Sequence, residues 1–373
     1  MKSQKLRLYQ GFWALIILLF VSCTDENTVK RVLTPNIKSA LESAADDVFL
    51  ATGTPGIIAE ISVEGEVSYL IKRGVAHISS GSPMHEDNSF RIASVTKTFT
   101  GTAILILVDE GLIDLDAAID TYLPEYNVPS GDKITVRMLG NMTSGLYDYS
   151  ESPELWADFI ESNYQNTYPP DSLLAIAFRH ESSFEPGTDY EYCNTNTVLL
   201  GVLIEKVTDM SAGEFIKEKI LVPLKLNKTY MGSSYFLHTP YTHGYTLDDN
   251  TLLDATHFNP SWGYTAGAMV SNLDDMKVWA KALAKGDLLS DAMKAEQMNF
   301  GADGYGFGME RVRYKNDIWV GHPGIIPGYN TQVWYNPQRK ISMVVNANTD
   351  DGTPAEALFI TFLILIADMS DNQ

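Results

Sequence analysis

Apolar and polar residues alternate through GIIAEISVEGEVSYLIKRGVAHI, residues 56–78, on either side of Gly65, and this period of two predicts an antiparallel hairpin. The same period returns in NTQVWYNPQRKISMVVNAN, residues 330–348, as two strands joined across Asn336 and Pro337. Ahead of the first hairpin, Ile37, Leu41, Ala44, Ala45 and Val48 keep helical spacing and predict a helix from Ile37 to Leu50. Behind the second, ALFITFLILIADM is shorter than the roughly 20 residues a membrane span needs, so it reads as a helix buried on a sheet. From Val95 to Leu289 the pattern is mostly helical, with loops marked by Pro, Gly and Asn.

Strand signals at both ends around a helical middle predict a mixed α/β chain of the α+β type. An antiparallel sheet is drawn from both chain ends, the terminal helices pack on it, and a mainly helical lobe completes the body. One two-lobed domain is expected over residues 37–370, its sheet lobe about 37–93 and 300–370 and its helical lobe about 94–299. A cleft between lobes is a usual place for a small-molecule site.

The first residues carry a different signal. Lys2, Lys5 and Arg7 precede an apolar run from Phe12 to Val21, then Ser22 and Cys23. This predicts a signal peptide over 1–22 with Cys23 as a lipidated mature N-terminus, followed by a polar tether over 23–36. Simple secretion and an uncleaved anchor are the alternatives. Location in the cell envelope, with the membrane as a partner through Cys23, follows from that reading. Cleavage there leaves 24 basic and 47 acidic residues, a net charge of −23, which repels nucleic acid. The other cysteine is Cys193, so a chain lipidated at Cys23 has no disulfide and depends on its core.

Candidate chemistry is concentrated in three short stretches. Ser94 and Lys97, in SVTK, open an apolar helix, and a spacing of three puts hydroxyl and amine on one face, as a nucleophile with its base. Ser130 and Lys133 repeat the spacing in an apparent turn, so context must separate the pairs. Tyr192 to Asn194, YCN, lies between a Pro-Gly turn and an apolar helix, which predicts a loop backed by rigid structure. His322 to Gly324, HPG, is the third stretch.

With IASVTKTFTGTAI, EGLIDLDAAIDTYLPE, ITVRMLGNMTSGL, FEPGTDYEYCNTNTVLLG, TAGAMVSNLDDMKVWAKAL, YGFGME and GHPGIIPGY in this order, the chain resembles the serine hydrolases of the class C β-lactamase and D,D-peptidase family over roughly residues 40–368. That family includes β-lactamase-like esterases and D-amino-acid peptidases. The resemblance implies a β-lactamase/transpeptidase-like fold, Ser94 as nucleophile and Lys97 as its proton-accepting or orienting partner. It further implies that Tyr192 relays the proton to the leaving group, that Asn194 holds the substrate amide or steadies Lys97, and that His322 opens the third motif. The oxyanion donors it implies are the backbone N–H groups of Ser94 and Ile325, with Gly324 and Ile325 lining the substrate site.

Three positions depart from the family pattern. Pro323 and Ile325 stand where relatives that recognise a substrate carboxylate often carry hydroxyl residues, which shifts weight away from an efficient β-lactamase. Ile325 also stands where Gly, Ser or Ala is common, narrowing the acyl pocket. Asn141 replaces a usual histidine at a position read as structural.

The expected activity is hydrolysis through an acyl-enzyme of amide or ester bonds, with D-amino-acid peptides of the D-alanyl-D-alanine carboxypeptidase type first, small acyl esters second and β-lactams third. A soluble nutrient is an equally open substrate. An inactive, lipid-anchored peptide-binding protein is the alternative of another class. Trp262 and Tyr264, just before TAGAM, are expected to line the cleft or simply to pack. His238, His243 and His257 lack any established metal-ligand pattern, and no metal or organic cofactor is expected. Cys193 reads as small buried filler.

Overall fold

The computed structural model describes residues 32–370 apart from 233, 234 and 250. The predicted signal segment, Cys23 and most of the tether lie outside the described residues. None of the helices among them is long and apolar enough to cross a membrane.

Seven antiparallel strands form the main sheet. In chain order they are β1 (Gly56–Val63), β2 (Tyr69–His77), β3 (Ser82–Pro83), β4 (Glu310–Tyr314), β5 (Asp317–Ile326), β6 (Tyr329–Asn336) and β7 (Ile341–Ala347). Their spatial order is β3-β2-β1-β7-β6-β5-β4, so the N-terminal and C-terminal hairpins join through β1 and β7. The predicted turn at Gly65 has φ 85, a conformation that glycine adopts without a Cβ clash.

Both faces of the sheet are covered, and the alternation along the strands decides which residue faces which layer. Trp319, Trp334, Met343 and Val345 share a core with α1 (Pro35–Thr52) and the C-terminal helix, while Val320, Val333, Tyr335 and Val344 share the other core with the helical body. Trp334 stacks on Phe359 of the C-terminal helix at 5.0 Å between ring centroids. Fully burying large apolar side chains of this kind contributes about 1.5–3 kcal/mol each. Helix α1 begins with Pro35 behind Thr34, whose hydroxyl accepts from the Ile37 N–H, and ends at Gly53 with φ 63.

The helical body is built around α2 (Thr96–Asp109), buried on nearly every side, and α3 (Asn194–Thr208), which packs against it. Helix α4 (Leu273–Lys285) carries this body onto the sheet against β1, β5, β6 and β7, and α5 (Pro354–Ser370) is the C-terminal helix on the opposite face.

The middle of the chain is less uniformly helical than its pattern predicts. Tyr245–Asp248 and Thr251–Asp254 form a small hairpin, and Phe90–Arg91, Met269–Ser271 and Tyr230–Met231 form a three-stranded sheet. Leu247 and Leu252 of the hairpin are 45% and 48% exposed, so little burial marks this piece in the sequence. The short sheet leads directly into the Ser94 turn.

Candidate active site

A one-turn helix, Ala93–Val95, precedes α2 and places Ser94 ahead of Lys97 in the first turn of the long helix. Ala93 has φ 48, a left-handed conformation that costs energy in a residue with a Cβ. This turn is pressed against β5. A Cβ on Gly324 would lie 2.3 Å from the Ile92 carbonyl oxygen and 3.1 Å from the Ser94 nitrogen, so only glycine lets the strand approach the serine this closely.

Lys97 is 1% exposed, and its Nζ lies 3.0 Å from Ser94 Oγ and 2.8 Å from the Ala266 carbonyl oxygen. Burial lowers its pKa to about 7, against smaller raising effects from Asp148, Cys193 and Glu310. Near neutral pH, then, a large fraction of Lys97 is the free amine, which can accept the serine proton. The second Ser-Lys pair has no such setting. Ser130 has φ 55 in a turn, and Lys133 reaches out to Glu185 at 3.4 Å on the surface.

Tyr192 stands over this pair, with Lys97 Nζ 4.8 Å from its ring centroid and the Ser94 hydroxyl near enough to its phenol to oppose part of the effect of burial. Burial pushes the phenol well above its ordinary pKa, so the group in the site is the neutral hydroxyl. Asn194 is the first residue of α3 rather than part of a loop. Its Nδ2 donates to Asp148 Oδ2 and to Ser150 Oγ, both at 2.9 Å, and its backbone N–H donates to the same Asp148 oxygen at 2.9 Å. The carboxylate thus sits at the positive end of α3. Besides Ser94 Oγ, the described hydrogen-bond acceptor of Lys97 Nζ is the Ala266 carbonyl oxygen, not Asn194.

His322 is 1% exposed on β5. Its Nδ1 lies 2.6 Å from the Pro323 carbonyl oxygen, which assigns the proton to Nδ1 and leaves Nε2 to accept from the Tyr305 hydroxyl at 3.3 Å. Burial, then the nearby Lys97, lowers its pKa to about 3, so it is a neutral ring at physiological pH.

Ser94, Tyr192, Asn194, His322, Pro323, Gly324 and Ile325 line one cavity of about 520 Å³. It follows the edge of β5 beyond Gly321, the last residue to pair with β4. Further lining residues escaped the sequence reading, among them the polar Tyr190, Glu310, Gln332 and Glu356. Glu310 ends the block YGFGME and Tyr190 stands two residues before YCN, so both were within quoted motifs. Asp148, in GLYDYS, carried no separate signal. The Gln332 side chain donates nothing from Nε2 to the described residues, although it is 1% exposed, and its Oε1 accepts from Trp334 Nε1 at 2.6 Å.

Trp262 and Tyr264 are not brought to this cavity. Trp262 packs edge-on against Trp156 at 4.9 Å. The Tyr264 hydroxyl donates to Glu205 at 2.6 Å and its ring lines a separate cavity of about 710 Å³. The backbone explains the difference. Tyr264 has φ 34, and the turn it starts delivers the Ala266 carbonyl to Lys97, so this segment serves the site through its main chain.

Cys193 is buried, its thiol is pushed up to about 12 by burial, and it points at the Leu146 carbonyl 3.2 Å away. His243 stacks on His77 at 3.8 Å and pairs with Asp254 at 2.7 Å. Nearly parallel rings at that separation do not direct both sets of nitrogen lone pairs to one point. His238 stacks on Tyr230 at 4.1 Å, and His257 Nδ1 meets the Tyr235 carbonyl at 3.0 Å.

A serine beside a buried lysine under a tyrosine, on a helix pressed against an antiparallel sheet, defines a β-lactamase-fold serine hydrolase. The family profile described as Beta-lactamase matches residues 36–365, and the chain belongs to that family. It is 27% identical over 314 residues to penicillin-binding protein 4* of Bacillus subtilis, covering 78% of this chain and 68% of that one. To the D-aminopeptidase of Brucella anthropi it is 28% identical over 324 residues, covering 84% of this chain and 60% of that one. The chain therefore spans only about two thirds or less of these relatives. Among solved structures, a D-stereospecific amidohydrolase from Streptomyces sp. superposes with a TM-score of 0.78 at 32% identity, over 87% of this chain and 96% of that one. The D-amino acid amidase of Ochrobactrum anthropi SV3, complexed with L-phenylalanine amide, gives 0.79 at 25% identity, over 90% and 99%.

Proposed function

We propose that this chain hydrolyses amides and short peptides of D-amino acids through an acyl-enzyme on Ser94. The observation that carries the reading is the 3.0 Å contact between Ser94 Oγ and a lysine amine held near neutrality by burial. In the first step the Lys97 amine takes the serine proton and Oγ bonds to the amide carbonyl carbon. The resulting oxyanion is received by the backbone N–H groups of Ser94 and Ile325. As the C–N bond breaks, the Tyr192 hydroxyl gives its proton to the departing nitrogen and recovers one from Lys97. Water then attacks the ester carbonyl and gives a proton to Lys97, the C–Oγ bond breaks to release the acid, and Lys97 returns the proton to Ser94 Oγ. His322 contributes a neutral wall to the site.

The D-amino-acid amide class is favoured over a D-alanyl-D-alanine carboxypeptidase. The cavity is lined by no lysine or arginine among the described residues, and Pro323 and Ile325 offer no hydroxyl to a substrate carboxylate. The amidohydrolase and amidase likenesses support the same choice. We keep the lipid anchor at Cys23 and a cell-envelope location within the proposal, supported by the sequence of residues 1–23.

The test is hydrolysis of p-nitrophenyl acetate, then of D- and L-phenylalanine amide, by the purified protein and by Ser94→Ala. Loss of turnover with Ser94→Ala and preference for the D-amide are expected. Equal rates for both proteins on the ester would overturn the hydrolase reading in favour of a binding role.

A further inference from the structure

We propose that the second cavity, of about 710 Å³, is an effector site for an organic cation with an apolar body, and that its occupant acts on Lys97 through the turn at Tyr264–Gly267. The site shares no lining residue with the Ser94 cavity.

A single turn of chain joins this cavity to the catalytic base. Tyr264 and Ala268 both line the cavity, and the Ala268 N–H donates to the Tyr264 carbonyl at 3.0 Å across the turn. Between them the Ala266 carbonyl accepts from Lys97 Nζ at 2.8 Å. Tyr264 has φ 34 and ψ −129, a conformation that costs an aromatic residue energy and persists only where the surroundings hold it. Two contacts supply the hold. The Tyr264 hydroxyl donates to Glu205 Oε1 at 2.6 Å, and its ring lies so close to α3 that a Cβ on Gly201 would meet it at 2.6 Å. Burial, then the hydrogen bond to Glu205, raises this phenol well above its ordinary pKa, so it stays a neutral donor.

A cavity of this volume takes a molecule of drug-like size. Leu226, Met231, Tyr168 and Tyr230 give it apolar and aromatic walls. The two hydroxyls are already engaged, Tyr168 with Asp158 at 2.6 Å and Tyr230 with the His238 N–H at 2.9 Å, so these residues offer an occupant ring surface. Glu205 supplies the charge. It stands in the last turn of α3, where the negative end of the helix favours a cation. Its Oε1 also accepts the Ala212 N–H at 3.1 Å, while no described donor reaches Oε2. No described cation pairs with it, since the adjacent Lys206 turns to Glu125 at 2.7 Å, and Lys217 on the cavity wall is exposed beside Glu214. A carboxylate among tyrosine rings suits a weakly hydrated organic cation, which is drawn to the ring faces as well as to the charge. Its charge weakens the charge-assisted bond from the Tyr264 hydroxyl, which frees the strained turn to move and takes the Ala266 carbonyl from Lys97.

The experiment titrates benzyltrimethylammonium, with phenylacetate as the anionic control, into native protein, Glu205→Gln and Val222→Trp by calorimetry, and follows p-nitrophenyl acetate turnover at each cation concentration. Glu205→Gln keeps an oxygen for the Tyr264 hydroxyl and the Ala212 N–H and removes only the charge. Val222 lines the cavity and is 63% exposed, so tryptophan there fills the space without entering the core. The native protein is expected to bind the cation and not phenylacetate, and each variant to bind the cation about 10-fold more weakly or worse. Saturating cation is expected to lower native kcat about 5- to 150-fold, the usual range for coupling between two sites, and excess ester is not expected to relieve it. No binding of the cation, equal binding of phenylacetate, or binding that both variants retain overturns the site. Inhibition that excess ester relieves places the cation in the Ser94 cavity and overturns it too. Binding lost in the variants with native kcat unchanged by the cation upholds the site and overturns its action on Lys97. Absence of Ser94-dependent ester turnover in the native protein overturns the hydrolase reading and that action with it, while the calorimetry still decides the site.

Discussion

Lys97 Nζ lies 3.0 Å from Ser94 Oγ, one turn along the same chain, and burial rather than any charged neighbour sets its basicity. The sign of the consequence follows from the pKa near 7. Below it Lys97 holds its proton and can only donate to Ser94, and above it the amine can accept. For p-nitrophenyl acetate, which does not titrate, kcat/KM is expected to rise with pH to a plateau with a midpoint near 7. A pH profile corrected with Ser94→Ala measures it. A profile that is flat from pH 5 to 9 would show that Lys97 is not the base. Lys97→Met is expected to lower the plateau by about 10²- to 10⁴-fold, the usual range for general-base removal.

Tyr192 is assigned the leaving-group proton because its hydroxyl stays neutral. Tyr192→Phe removes that hydroxyl while keeping the ring beside Lys97. An amide nitrogen must be protonated to leave and p-nitrophenolate need not be. The substitution is therefore expected to reduce amide turnover by about 10²-fold or more and ester turnover much less. Paired kcat values for D-alanine p-nitroanilide and p-nitrophenyl acetate separate the cases, and equal losses would place Tyr192 in a supporting role only.

The two-face alternation of β1, β6 and β7 was legible because period two survives when a strand is covered on both sides by different layers, and the Ser94 and Lys97 helix stood out by its apolar run; β4 and β5 were not read as strands. Trp262 and Tyr264 were misplaced for a physical reason. A residue type and its place in a motif do not reveal a backbone turn, and here φ 34 at Tyr264 turns the segment so that a carbonyl serves the site. Glu310 and Asp148 were missed because a carboxylate in sequence shows neither burial nor partner. Their importance arises only where β4 begins against β5 and where the loop bearing Asp148 meets the start of α3.

Gly324 holds β5 against the nucleophile turn. In Gly324→Ala the new Cβ would meet the Ile92 carbonyl oxygen at 2.3 Å, and neither backbone can yield without moving Ser94 relative to Ile325. Overpacking of this kind costs about 1–3 kcal/mol. A displacement near 1 Å in the site costs about 10²-fold in rate. Thermal denaturation is expected to shift down modestly while kcat on p-nitrophenyl acetate falls far more. A variant as active as the native protein would show that the close approach is not needed for catalysis.

Asp148 acts on Lys97 through space while its own hydrogen bonds go to Asn194 and Ser150. Its negative charge favours the lysine cation and so raises the pKa against the larger effect of burial. Asp148→Asn removes that charge, burial then acts with less opposition, and the Lys97 pKa falls further. The acid limb of the kcat/KM profile is expected to move to lower pH, so that the variant retains a larger share of its plateau rate at pH 6 than the native protein does. The plateau itself is also expected to fall, because an asparagine oxygen can accept from the Asn194 backbone N–H and Nδ2, which share one Asp148 oxygen, but the amide then offers a donor group where the Ser150 backbone N–H already donates. The limb position is independent of that loss and reports the electrostatic link alone. A limb that stays in place, or moves to higher pH, would show that Asp148 only braces the start of α3 and has no part in setting the base.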